Sequence, residues 1–266
     1  MQRAERVELL GLSFDAVTMD AAVARCVELC RAPRASHIIT TANASHLCMM
    51  RADSELASAC RASHLTVADG MSVVWALRAS GQRVPGRVAG VDLMAKLLQA
   101  AAAQGLSVYF LGAKREVVTA LAAQSQARYP GLKIAGFRDG YFGPSDYPDV
   151  VREIHASSPH MLFVGMPTPF KETWCARYSQ ALQVPVIMGV GGSFDVLAGY
   201  IKRAPLWMQS MGLEWSWRLL KEPRKLWKRY LTTNTEFIWL AGREVMARRL
   251  GRLPASQRQD SARPGP

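Results

Sequence analysis

Six short runs rich in aliphatic and β-branched residues, His37–Thr41, His64–Ala68, Ser107–Gly112, Lys133–Phe137, Met161–Gly165 and Pro185–Gly189, alternate with amphipathic stretches such as Val91–Ala103 and Arg115–Arg128. The runs have the length of strands and the stretches the apolar spacing of helices. Alternation of this kind predicts βαβ units, and hence an α/β fold whose parallel sheet carries helices on both faces. With 266 residues, 49% of them hydrophobic and 20% charged, the chain has the bulk for one such domain and an appendage. The expected organisation is an α/β domain over 1–199, a basic, aromatic-rich helical appendage over 200–250 and a disordered tail over 251–266.

The charge supports that division. Residues 200–266 hold 14 of the 33 lysines and arginines but five of the 21 acidic residues, so nine of the +12 net charge fall in the last quarter. Such asymmetry marks a surface for phosphates, whether of lipid headgroups, lipid diphosphates or nucleic acid. Pro223 is tolerated in the first turn of a helix but not in its interior, which predicts one helix over Leu206–Leu220 and a second from Pro223 onward. On the second, Trp227, Tyr230, Leu231, Phe237 and Ile238 gather on one side, with Lys225, Lys228 and Arg229 opposite. A basic amphipathic helix packs on its own domain, lies in a bilayer interface or contacts DNA. Trp207, Trp215 and Trp217 on the first helix exceed what one small core needs and favour a membrane surface.

Other classes are disfavoured. Met1–Leu10 has no apolar core of a secretory signal, and no apolar run reaches the ~18 residues that span a bilayer, so a cytosolic protein with peripheral membrane contact is expected. Five cysteines without a Cys-x-x-Cys pair, and five histidines without His-x-x-x-His spacing, suggest neither a disulfide framework nor a metal centre. Cys26 and Cys30, one helical turn apart, read as core residues.

Parallel sheets bind ligands beyond the carboxyl ends of their strands, which directs attention to a few segments. Thr41-Ala42-Asn43 follows the first run. Asp69-Gly70 follows the second, where the carboxylate is either a functional group or the N-cap of the next helix. Gly189-Val190-Gly191-Gly192-Ser193-Phe194-Asp195 forms a glycine turn whose N–H groups suit phosphate, although Phe194 breaks the dinucleotide fingerprint and no Gly-Lys-Ser/Thr follows. Arg87 lies in a non-helical stretch ahead of a helix that Asp92 is placed to cap, and is open to two readings, a diphosphate grip or a surface salt bridge. There is no Asp-x-Asp to hold a divalent cation against a nucleotide sugar.

Taken in order, Thr41-x-Asn43, Ala68-Asp69-Gly70, Arg87-Val88-x-Gly90-x-Asp92-Leu93, Gly189-Val190-Gly191-Gly192-x-Phe194-Asp195, Lys202-Arg203-Ala204-Pro205 and Gly212-Leu213-Glu214-Trp215-x-x-Arg218 carry a likeness that extends over about residues 7 to 240. The chain resembles the bacterial WecG/TagA/CpsF family of glycosyltransferases. The resemblance implies a Rossmann-like core and a C-terminal helical appendage at the inner face of the cytoplasmic membrane. It also implies inverting transfer from a UDP-sugar to a sugar on undecaprenyl diphosphate, without a metal or other cofactor, and it allows self-association as a homo-oligomer.

By position, Asp69 becomes the general base and Arg87 the group that stabilises the leaving diphosphate, while Thr41, Asn43, Gly191 and Gly192 border the substrates. Arg218, with Arg224, Lys225 and Lys228, becomes the candidate site for the lipid diphosphate. One departure stands out: Lys171 occupies the place of a family glutamine in Pro169-Phe170-Lys171-Glu172-Thr173-Trp174. The added charge near the diphosphate or the sugar argues against carrying over the family's N-acetylmannosamine, and Gly165-Met166-Pro167-Thr168 resembles members from exopolysaccharide clusters, which implies UDP-glucose or a related hexose; the alternative is UDP-N-acetylmannosamine, or its uronate, for teichoic acid or common antigen. A basic nucleic-acid-binding protein is the rival of another class, and gives no reason for Asp69, Arg87 and the glycine turn at separate strand ends.

Overall fold

The computed structural model describes residues 5–32, 35–221 and 223–251, and at 206, 210, 218, 221 and 223–231 the backbone alone. Its strands are β1 (Arg6–Leu9), β2 (Leu12–Asp15), β3 (His37–Ala42), β4 (Leu65–Ala68), β5 (Ser107–Gly112), β6 (Lys133–Arg138), β7 (Met161–Gly165) and β8 (Val186–Gly189). Its helices are α1 (Met19–Arg31), α2 (Ala44–Ala52), α3 (Ser54–Arg61), α4 (Met71–Ala79), α5 (Gly90–Gln104), α6 (Arg115–Arg128), α7 (Tyr147–Ser157), α8 (Phe170–Leu182), α9 (Ser193–Leu197), α10 (Leu206–Ser210), α11 (Glu214–Lys221) and α12 (Pro223–Arg249).

The six expected runs are β3 to β8, with ends displaced by at most one residue, and they form one parallel sheet in the order β4-β3-β8-β7-β5-β6. Residues of β3, β4, β5 and β7 are almost all buried because helices cover both faces, which explains why these strands read as continuous apolar runs and not as alternating ones. The register puts Thr41 opposite Val67, Ala42 opposite Ala68 and Val164 opposite Gly189, so the carboxyl ends line up along one edge. Phe110, Phe163 and Phe194 pack together, with Phe194 edge-on to Phe110 at 5.8 Å. A Cβ at Gly165 would come within 2.4 Å of the Phe194 ring, so this glycine lets the residue after the glycine turn lie flat on β7.

The antiparallel hairpin β1–β2 has no counterpart among the expected strands. It builds a further part of the core together with α2 and α4, through Val7, Leu9, Phe14, Leu47 and Leu77. Phe237, Leu240 and Ala241 of α12 belong to the same cluster, so the last helix shares a core with the chain's first strands and the division at residue 199 falls within a packed unit. All five cysteines are buried and unpaired, as Cys26 and Cys30 were expected to be.

The C-terminal region departs from expectation in two ways. The single helix expected over Leu206–Leu220 is two helices, α10 and α11, separated at Met211–Leu213 by Gly212, whose φ is +70°. A Cβ at Gly212 would stand 2.7 Å from Met71 Cβ and 3.0 Å from the Trp75 ring, so only glycine lets this turn close onto α4. The second helix does start at Pro223, but Phe237 is buried whereas Ile238 and Trp239 are exposed, so the expected apolar face divides there. The side chains of Trp227, Tyr230 and Leu231, and the tail 252–266, lie outside the described residues. No described helix is long and apolar enough to cross a membrane.

Candidate active site

Three of the expected site residues meet where β3 and β4 end. The Asp69 N–H donates to Ala42 O at 2.9 Å, which continues the β3–β4 ladder one residue beyond β4. Asp69 does not cap the next helix: the N-cap of α4 is Gly70, at φ +140°, with no side chain to offer. The Val88 N–H donates to Ala68 O at 2.9 Å and carries the segment before α5 past the same strand end. There, a Cβ on Gly90 would lie 2.9 Å from Thr41 Oγ1 and 3.4 Å from Asp69 Oδ2. The hydroxyl and the carboxylate therefore converge over the bare first residue of α5. Asn43 stands on the other side, its Cβ 3.7 Å from where a Cβ on Gly70 would be.

Arg87 reaches this corner but is not a lone cation. Its Nη1 donates to Glu214 Oε2 at 2.8 Å, and Glu214 Oε1 accepts from Arg203 Nε at 3.0 Å. The Arg203 guanidinium also grips Asp92 in a two-pronged pair, one arm at 2.8 Å. Asp92 thus serves as an anchor and not as the expected cap, since α5 is capped at Ala89. Burial alone would raise the Glu214 pKa, but the hydrogen bond and charge of Arg203, joined by Arg87, hold it below the usual carboxylate value. The two arginines and two carboxylates balance, and they tie α11 to the α/β domain at the corner where Asp69 lies.

A second polar group lies deeper, between β3, the glycine turn and α8. Lys171 is 5% exposed. Its Nζ bonds Glu172 Oε1 and Thr168 Oγ1, and its methylenes lie 3.1–3.3 Å from where a Cβ on Gly189 would be. His46 Nε2 lies 2.8 Å from Glu172 Oε1. Burial pushes the Glu172 carboxyl upward, yet the His46 hydrogen bond and the Lys171 charge prevail and hold it at about 2. Lys171 is therefore an internal partner of Glu172, and its ammonium is not presented to substrate as the sequence suggested.

The glycine turn keeps its expected place. Gly191 adopts φ +52° and Gly192 is exposed at the start of α9, with nothing within 4 Å of where its Cβ would be. Trp207, Met211 and Trp215 are exposed on the segment that docks beside Asp69, and Trp75 is half-exposed against Gly212. The side chains of Arg218, Arg224, Lys225 and Lys228, the expected lipid-diphosphate cations, lie outside the described residues. An open groove of about 590 Å³ between α1 and α5, lined by Val27, Lys96 and Gln99 among others, contains none of the strand-end residues.

His46, and the pairing of Arg203 with Glu214, were not among the residues expected from the sequence. The signal for His46 was the spacing Asn43-x-x-His46, that of an N-cap and its N3 partner. For the ion pairs there was only the charge inside two short motifs.

A parallel six-stranded sheet with a carboxylate, a hydroxyl and a glycine turn at its carboxyl edge defines a Rossmann-like α/β protein. Residues 7–251 match the glycosyl transferase WecG/TagA/CpsF family, and the chain belongs to that family. It is 36% identical over 170 residues to the N-acetylglucosaminyldiphosphoundecaprenol N-acetyl-beta-D-mannosaminyltransferase of Bacillus subtilis (strain 168), covering 64% of this chain and 65% of that protein. It is 37% identical over 164 residues to the protein of the same name from Bacillus spizizenii, covering 62% and 63%. The matches span a little under two thirds of those relatives.

Proposed function

We propose that this chain is an inverting glycosyltransferase that moves a sugar from a UDP-sugar to a sugar carried on a polyprenyl diphosphate. The convergence of the Asp69 carboxylate and the Thr41 hydroxyl over Gly90 carries the reading. In direct inversion the acceptor oxygen attacks the anomeric carbon as the bond to the UDP oxygen breaks. Asp69 takes the acceptor proton, for which a carboxylate fixed at a strand end is well placed. Thr41 and Asn43 hold the substrate, the turn at Gly191 and Gly192 faces the nucleotide phosphates, and Arg87 meets the growing charge on the departing diphosphate once it moves from Glu214.

The names of the two relatives support N-acetylmannosamine as the donated sugar and lipid-linked N-acetylglucosamine as the acceptor. Glucose was expected from the Gly165-Met166-Pro167-Thr168 block, and the Lys171 charge that argued against N-acetylmannosamine is engaged by Glu172. The exposed Trp207 and Trp215, with the basic composition of 200–250, support a peripheral position on the inner face of the cell membrane.

The test is UDP release with a lipid-diphosphate N-acetylglucosamine acceptor, comparing UDP-N-acetylmannosamine with UDP-glucose. Turnover of the first is the expected result, and turnover of UDP-glucose alone would restore the glucose reading. Asp69→Asn should lower kcat by roughly 10²–10⁴-fold with an unchanged Tm. Full activity in that variant would remove Asp69 as the base.

A further inference from the structure

The buried group beneath the glycine turn bears on the site through one residue, Asn43. The Asn43 Oδ1 accepts from the Ser45 N–H at 3.0 Å and the His46 N–H at 3.2 Å, so the side-chain carbonyl is held by the start of α2. An ionised Glu172 only accepts, so His46 Nε2 is the donor in their 2.8 Å contact. On its other side, His46 Nδ1 faces Asn43 twice, 3.1 Å from Oδ1 and 3.5 Å from the backbone N of the capping box, so the imidazole bridges Asn43 and Glu172. Thr168 Oγ1 donates to Glu172 Oε1 at 3.1 Å, and Lys171 holds the same oxygen. With its carbonyl fixed, Asn43 has an amide nitrogen with no hydrogen-bond partner among the described residues.

We propose that His46 and Glu172, braced by Lys171 and Thr168, are positioning residues that hold Asn43 in the one rotamer whose amide N–H groups meet the substrate. The proposal rests on the glycosyltransferase reading above. Its geometric basis is a continuous run of contacts from Asn43 at the end of β3, through His46, Glu172 and Lys171, to Gly189 at the end of the neighbouring β8. The run ties the residue that grips substrate to the turn assigned to the nucleotide. A displacement of about 1 Å at such a residue is enough to cost on the order of 10²-fold in rate.

A double-mutant cycle separates positioning from general support of the fold. Asn43→Ala and His46→Leu should each lower kcat/KM by roughly 10- to 100-fold, and the double variant should fall no further than Asn43→Ala alone. His46→Asn, which keeps a polar group near the Nδ1 position, should recover part of the loss. Losses that multiply in the double variant, or that follow Tm with no recovery in His46→Asn, would overturn the proposal. Absence of UDP release by the unaltered protein from every donor would count against the glycosyltransferase reading alone. The same cycle is then read from UDP affinity by calorimetry, where non-additive losses support the positioning role and additive ones refute it.

Discussion

Two charge clusters flank the site, and they differ in what surrounds them. Lys171, Glu172 and His46 are each at least nine-tenths buried and join α8 to α2 inside the α/β domain. Arg87, Glu214, Arg203 and Asp92 have side chains between 13% and 40% exposed and join that domain to α11. Charges kept from water interact strongly and cannot lose one partner without leaving the other stranded, whereas partly solvated pairs are weakened by screening and part cheaply. The inner cluster is therefore suited to fix the pocket wall, and the outer one to let Arg87 exchange a carboxylate for a diphosphate.

The sharpest way to break this contrast is Glu172→Gln, which strands the Lys171 ammonium in the core. Thermal or denaturant unfolding should show a loss of about 3–5 kcal/mol. A change below 1 kcal/mol would place the inner cluster in the same class as the outer one.

Acid should act on the inner cluster with comparable force. The folded-state pKa of Glu172 lies near 2, below its unfolded value of 4.5, so its contribution is fully present above pH 4.5 and is lost as the pH falls toward 2. The shift corresponds to stability on the order of 3 kcal/mol. Acid unfolding followed by circular dichroism should be shallower over that window in Glu172→Gln than in the unaltered protein. Identical slopes would contradict the assignment.

The smallest effect belongs to the outer cluster. Glu214→Gln should cost about 1 kcal/mol or less, with a difference from the unaltered protein that shrinks as salt rises. A salt-independent loss of several kcal/mol would show that the cluster behaves as buried. Its activity readout is the KM for the UDP-sugar, since releasing Arg87 in advance favours the bound diphosphate.

The sheet was legible because a parallel strand covered on both faces has to be apolar throughout, and β3, β5 and β7 stand out against polar surroundings on that ground. The hairpin β1–β2 was not, because its two-residue turn is Leu10-Gly11, with φ of +51° and +75°. Such a turn normally announces itself with Asn-Gly or Asp-Gly, and a leucine at positive φ gives no signal. The segments holding Thr41, Asn43 and Asp69 were singled out by the rule that ligands gather at strand ends, which needs only strand positions, and the family likeness supplied their proposed roles. The partners of Arg87 and Glu172 were not, because Glu214 is 127 residues from Arg87 and His46 is 126 from Glu172, distances over which sequence pattern carries no pairing information.

The shared cluster of the first strands and the last helix has a consequence for how the molecule is made. Leu10 N–H donates to Glu244, and Arg248 reaches Glu8 O across 240 positions, so the two extremes of the described chain seal one apolar compartment. During synthesis the hairpin meets α2 and α4 early, but the compartment stays open on one side until Phe237, Leu240 and Ala241 have emerged. Shortening the protein from its trailing end would therefore unroof that compartment as well as discard cations, and a truncated form that failed to work would say little about membranes.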